Sequence, residues 1–165
     1  MSNVLDYVRL SELFEVVGSD LVRKVTTGSR GVKGTKVGSD VKGYLRFEVR
    51  GVTMSVHAAI WMIHNQMNIP DGHVVDHKDL DYTNNHPSNL RLASRGQNCY
   101  NVGLYKNNTS GYKGVSFDST KGVWIAQIRV DGKNRNLGSF STAESANDFL
   151  VDERARLHGR FANNG

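Results

Sequence analysis

Val74-Val75-Asp76-His77 is followed by Asn89-Leu90 and then by Asn98, at gaps of 13 and 22 residues from Asp76. The apolar pair running into Asp-His reads as a short strand. It opens a polar loop, Lys78 to Ser88, that contains Asp79, Asp81, Asn84, Asn85 and Pro87. Asn89-Leu90-Arg91-Leu92-Ala93 reads as the returning strand. Ser94-Arg95-Gly96-Gln97 has the form of a capping box, so a helix is expected with Asn98 in its first turn and Gly103 as its stop. One ββα element would thus gather a carboxylate, an imidazole and two carboxamides. Phosphodiester hydrolysis needs such groups, to activate water and to stabilise negative charge. His77 is the candidate base, because imidazole has a neutral, basic form near physiological pH. Alternation along the strand puts Asp76 on the side opposite His77, where helix-borne Asn98 can meet it. These two oxygen donors suit Mg²⁺ or Mn²⁺, one ion per site, better than a closed zinc site. Asn89, across the hairpin, is placed to fix the His77 ring.

Outward from this element, the chain reads as α+β. Upstream, residues 8–17 read as a helix, with Leu10, Leu13, Phe14 and Val17 at helical spacing. A strand over 21–25 leads into a mobile basic loop over 26–40. Tyr44 to Val49 alternates as a strand closed by a turn at Arg50-Gly51, and Thr53 to Met67 reads as a helix with Val56, Ala59, Ile60, Ile63 and Met67 on one face. Downstream of a polar joint at Lys106 to Gly111, strands are expected over 112–117, 123–130 and 133–140, with Asp131-Gly132 as a hairpin turn. Ser141-Thr142-Ala143-Glu144 reads as a capping box for a last helix, with Ala143, Ala146, Leu150 and Leu157 near one stripe and Gly159 as its stop. The expected division is 1–102, a catalytic domain with a β-rich N-terminal extension, and 103–165, a small sheet-and-helix module.

Composition narrows the partners. The 165 residues carry a net charge of +5, distributed as −2 over 1–19, +5 over 20–50, −1 over 51–102 and +3 over 103–165. Basic segments flanking a nearly neutral centre suit a polyanion gripped outside the chemical site. The single cysteine, Cys99, excludes an intrachain disulfide and a Cys-rich zinc site, and points to a reducing, intracellular setting. No apolar run approaches the roughly 20 residues of a membrane span, and the N-terminus lacks a secretory pattern.

Val75-Asp76-His77, Asn84-Asn85 with Asn89-Leu90-Arg91, and Gln97-Asn98 resemble the HNH nucleases, in particular the phage and intron-encoded subgroup in which Asn replaces the last His. Ser55-Val56-His57-Ala58-Ala59-Ile60-Trp61 resembles the segment that precedes the family's hairpin, with Ala58 where Arg is usual. The resemblance covers roughly residues 10–102. It implies a ββα-metal fold, His77 as general base, Asp76 and Asn98 as metal ligands, Asn89 as the orienting residue, and products with 5′-phosphate and 3′-hydroxyl ends. Arg91 and Arg95 read equally as clamps on DNA phosphates or as surface charge. His57 reads as structural or supporting rather than as the base.

Ser110-Gly111-Tyr112-Lys113-Gly114-Val115, Trp124 to Arg129, Leu137-Gly138-Ser139-Phe140 and Ala143-Glu144-Ser145-Ala146 resemble the AP2-type DNA-binding domain. That resemblance implies a three-stranded antiparallel sheet entering the major groove with one helix behind it, and Trp124 in the core. Lys113, Ser116, Gln127, Arg129, Asn134 and Asn136 would face double-stranded DNA. Ser116, Asp118 and Asn136 replace aromatic or Arg residues of plant members, so their target sequence does not transfer. The whole chain then reads as a homing-type or phage DNA endonuclease, at work in the cytoplasm of a bacterial or phage-infected cell. One active site per chain cuts one strand, so double-strand cleavage calls for a homodimer, a second binding event or a partner. The alternative is a non-catalytic DNA-binding regulator that keeps the frame as scaffold; an RNA-directed protein ranks lower, for want of an aromatic stacking platform of the RNA-module kind.

Overall fold

The structure is a computed structural model and describes residues 5–29 and 31–165. The chain packs as two units, Met1–Ser94 and Arg95–Gly165.

In the first unit, Asp6 caps α1 (Tyr7–Leu13), its carboxylate accepting from the Arg9 N–H at 2.8 Å. The helix is shorter than its periodicity predicts. Phe14–Val17 leaves it as β1, paired antiparallel with β2 (Asp20–Arg23). The β-branched Val16-Val17 and Gly18 at φ +61° favour a strand and a tight turn over a further helical turn. Phe14 and Leu10 still reach one core, so the apolar spacing was right in purpose and wrong in conformation. The stretch 26–40 is more than a loop. The Arg23 N–H bonds to Thr35 O, the Val37 N–H bonds to Leu21 O, and Val37 is buried.

Strands β3 (Ser39–Val41), β4 (Tyr44–Val49) and β5 (Val52–Ser55) form an antiparallel sheet in chain order. Arg50 and Gly51 both take positive φ, +51° and +80°, the two-residue turn whose twist matches a hairpin. That turn draws Val52–Ser55 into the sheet, so the helix expected from Thr53 starts as α2 (Val56–Asn65). It buries Val56, Ala59, Ile60, Trp61 and Met62, while Met67, beyond the helix end, is exposed. β6 (His73–His77) then pairs with β7 (Leu90–Ser94), Asp76 opposite Arg91 and His77 opposite Leu90. Asn89 is not the first residue of the returning strand; it ends a 3-10 turn, Pro87–Asn89.

The second unit begins with a single helical turn, α3 (Arg95–Asn98), rather than a helix running toward Gly103. It buries no side chain, and so short a helix has little to hold it without a packed face. Next comes a three-stranded antiparallel sheet with β9 (Val123–Val130) between β8 (Val115–Asp118) and β10 (Lys133–Phe140). β8 starts later than expected because Gly111 and Gly114 keep Tyr112 and Lys113 in a turn. The Asp131-Gly132 turn is in place, with φ +52° and +75°. α4 (Ala143–His158) packs Ala143, Ala146 and Leu150 against Val115, Ala126, Ile128 and Val130, with Trp124 and Leu157 at the margin. Its N-cap is Thr142, one residue later than the sequence pattern suggests, and its side chain accepts the Ser145 N–H at 3.1 Å. Among the described residues no helix is long and apolar enough to cross a membrane.

Leu150 has no exposed surface. Leu150→Ala should therefore cost the second unit about 2–5 kcal/mol, read as a lower denaturation midpoint for that unit. Leu157→Ala, at the core margin, should cost visibly less; equal losses would remove the packing argument.

Candidate active site

β6 ends on two buried polar residues, Asp76 at 7 % and His77 at 3 % exposure. Residues paired across an antiparallel ladder share a face, which brings Arg91 to Asp76. The Arg91 Nε donates to Asp76 Oδ2 at 2.8 Å, and both side chains are largely buried. A carboxylate taken out of water needs such a counter-charge. Arg91, a candidate phosphate clamp by sequence, thus spends its Nε on Asp76.

His77 lies 2.9 Å, through Nε2, from the Oδ1 of Asn85, itself fully buried. With a carboxamide oxygen as acceptor, Nε2 is the donor of this bond. The orienting amide is therefore Asn85, where the spacing argument expected Asn89. Asn89 does other work. Its Nδ2 donates to Asp79 Oδ1 and to Asn84 O, both at 2.8 Å, and its Oδ1 accepts the Asp79 N–H at 3.2 Å. The Asn84 Nδ2 donates to Asp79 Oδ2 at 2.7 Å, so the carboxylate is gripped from two sides. Partial desolvation works against the Asp79 carboxylate, but the Asn84 and Asn89 hydrogen bonds outweigh it and hold its carboxyl below the usual range. Thr83 does the same for Asp81 through its hydroxyl and N–H. These loop carboxylates staple the loop that seats Asn85.

Around His77 stand three further rings. His57 from α2 meets it edge-on at 4.9 Å between centroids, Tyr44 from β4 lies at 6.5 Å, and Tyr82 from the polar loop at 6.0 Å. Tyr44 also packs on Tyr82 at 4.6 Å and on His57 at 5.7 Å. Burial, with His77 and Arg46 nearby, pushes His57 down to about 4. Burial, with Tyr82 and then Asp76, pushes the Tyr44 phenol up to about 12. Both groups are thus neutral at physiological pH. His57 thus packs beside His77 as a neutral imidazole.

No three His, Cys, Asp or Glu come together as a metal cluster among the described residues. Within the first unit the candidate donor is of another kind, the two oxygens of one buried carboxylate, Asp76. Such oxygen donors match a hard divalent ion by chemistry. Asn98 and Arg95 belong to the second unit, where both are exposed in α3.

In the second unit the pairing Gln127 with Asn136 and Arg129 with Asn134, and Ser116 with Ile125, sets these side chains on the sheet face opposite α4. Ser116, Gln127, Arg129, Asn134 and Asn136 are all exposed there. Lys113 departs from its sequence reading as a DNA contact. Its ammonium is turned inward, donating to the carbonyls of Tyr100, Val102 and Asn163. Burial and the neighbouring Arg154 guanidinium push it down to about 8.

The sequence signal missed Asn85, Tyr44 and Tyr82. Asn85 was visible within the Asn84-Asn85 run of the resemblance but without a role, Tyr82 lies unmarked in the polar loop, and Tyr44 sits on a strand far upstream with no spacing to link it to His77. Burial of an asparagine is the sign that marks Asn85.

Comparison with known proteins bears on this geometry. A family described as HNH endonuclease matches residues 55–100, the segment that holds His57, Asp76, His77, Asn85, Asn89 and Asn98. Protein 3.8 of Escherichia phage T7 is 35% identical over 106 residues, which cover 64% of this chain and 86% of that protein. Uncharacterized HNH endonuclease L560 of Acanthamoeba polyphaga mimivirus is 32% identical over 109 residues, 66% of this chain and 56% of that protein. No solved structure matches.

With the depressed His57 value, the imidazole should stay neutral in nuclear magnetic resonance spectra until the pH falls to about 4. Stability should decline as pH drops from about 6.5 toward that value, because the unfolded chain binds the proton first. A His57 ring titrating near its ordinary value would refute the buried ring cluster.

Proposed function

The chain belongs to the family of the phage Protein 3.8 and carries an HNH endonuclease domain, and on that premise we propose that it is a divalent-metal-dependent DNA endonuclease of the phage or homing type. The observation that carries this reading is the His77–Asn85 hydrogen bond beside buried Asp76, within the matched segment. Asn85 fixes the ring, and His77 accepts a proton from the attacking water. The water oxygen forms its bond to phosphorus as the P–O3′ bond breaks in line, and the departing oxygen takes a proton from solvent. The products carry a 5′-phosphate and a 3′-hydroxyl.

Asp76 and Asn98 would hold one Mg²⁺ or Mn²⁺, and such an ion, when bound, supplies positive charge to the phosphate and the leaving oxygen. Arg91 holds the Asp76 carboxylate in place. Asn89, retained among the catalytic set, acts by ordering the loop. The second unit is proposed to be an AP2-type module that grips duplex DNA through Ser116, Gln127, Arg129, Asn134 and Asn136, with Arg95 on backbone phosphate. The open polar face, with Arg129 near its β9–β10 turn, supports this, since backbone contacts position and base contacts specify. One site per chain makes a nick, and paired nicks require two chains or two encounters.

Supercoiled-plasmid nicking with Mg²⁺ or Mn²⁺ tests the activity. His77→Ala should reduce the rate at least about 100-fold while DNA binding persists, and chelation should stop wild-type turnover. Binding without nicking under any divalent ion would favour the regulator reading instead.

A separate measurement addresses the second unit. Arg129→Ala should weaken duplex binding and reduce the slope of log affinity against log salt by about one if it contacts phosphate. Unchanged affinity would remove the sheet face from the interface.

A further inference from the structure

We propose that Tyr82 is a substrate contact, its exposed ring packing on a nucleotide that flanks the phosphate brought to His77. The inference rests on the nuclease reading of that site.

Burial poses the question. His77 is only 3 % exposed, and three rings cover it. Tyr44 and His57 are partly buried and belong to β4 and α2. Tyr82 differs, being 46 % exposed while its centroid lies 6.0 Å from the His77 ring. A single side chain thus reaches from solvent to the candidate base, and a DNA strand approaching from that side meets Tyr82.

Its setting is unusual for an apolar ring. Asp79, Asp81, Thr83 and Asn84 surround it in sequence and hydrogen-bond among themselves. Tyr82 rests instead on Tyr44, tilted 34° at 4.6 Å, which supports part of the ring and leaves the remainder open. The loop beneath is tied down through Asn89 and Asp79. A ring held in advance loses little freedom when it binds.

The chemistry of the ligand follows. A phosphate cannot stack, but the base and deoxyribose beside it present apolar faces. Every nucleotide offers the same deoxyribose face, and every base a π-face where the strand opens, so an aromatic contact is tolerant of sequence, as a nuclease that leaves recognition to a separate module requires. A plain cover over His77 is the competing account. A cover would act on the chemical step through His77. A nucleotide contact acts on binding.

The test uses the full-length protein in two assays. The first measures kcat and KM for plasmid nicking with Mn²⁺, and the second measures Kd for a fluorescein-labelled mixed-sequence duplex in metal-free buffer. Tyr82→Phe should stay within about twofold of wild type in all three. Tyr82→Ala should raise KM and Kd about tenfold with kcat changed less than about threefold and the thermal midpoint unmoved. The proposal is overturned if Tyr82→Ala leaves KM and Kd within twofold, or if kcat collapses while both hold. It is also overturned if Tyr82→Phe is as weak as Tyr82→Ala, since the hydroxyl would then be the contact. If wild type binds and never nicks, the nuclease reading fails by itself, and Kd alone still decides the role of Tyr82.

Discussion

The arrangement of the first unit depends on one carboxamide. Asn89 ends a 3-10 turn where the chain re-enters the strand pair, and from there it holds both Asp79 and the carbonyl of Asn84. With those bonds made, residues 79–84 close into a fixed loop and Asn85 arrives under His77. Such networks are all-or-none, because in low-dielectric surroundings each unmet polar group is costly. Asn89 therefore orders the loop that brings Asn85 to His77 without itself bonding to the ring.

Electrostatics around that ring follow from burial more than from ion pairing. Three neighbours of His77 are aromatic, and the two with perturbed acidity are both held neutral, His57 as the free imidazole and Tyr44 as the phenol. The charge at the end of β6 is then the Asp76 carboxylate, balanced by Arg91 across the ladder. A neutral wall of rings therefore stands on one side of β6 and a paired carboxylate on the other. Sheet register enforces this separation, since one step along β6 moves from the Arg91-facing side to the side of the rings.

Much of this was legible in the chain, and the failures share one cause. Period-2 and period-3.6 patterns located β4, β6, β9, β10 and α4, and the Asp131-Gly132 signal named its hairpin. Local chemistry went wrong where tertiary pairing overrode it. Phe14–Val17 and Thr53–Ser55 fall within the expected helices but were taken up by hairpins whose turns demanded positive φ. The Asp76–His77 pair with Asn89 was visible as a spacing, whereas which amide meets which ring is a property of a folded loop. Asn85 and Asn89 are the same residue type four positions apart, and composition cannot assign their partners.

Lys113 shows the same limit from the other side. A lysine next to a predicted strand of a basic module reads as a phosphate contact, because charge in a sequence carries no direction. In the fold its ammonium is spent on three backbone carbonyls, one of them near the end of the chain, and fully buried Arg154 donates to the Lys113 carbonyl beside it. Two cations are thus used as internal hydrogen-bond donors, where lysine's tetrahedral head and arginine's planar fork each satisfy several acceptors. The cationic surface left for a polyanion is smaller than the formal charge suggests. On the sheet face it is Arg129 among uncharged Ser116, Gln127, Asn134 and Asn136. Such a face gains less from counterion release than a lysine-rich one, so any discrimination it makes must come from polar side chains meeting base edges.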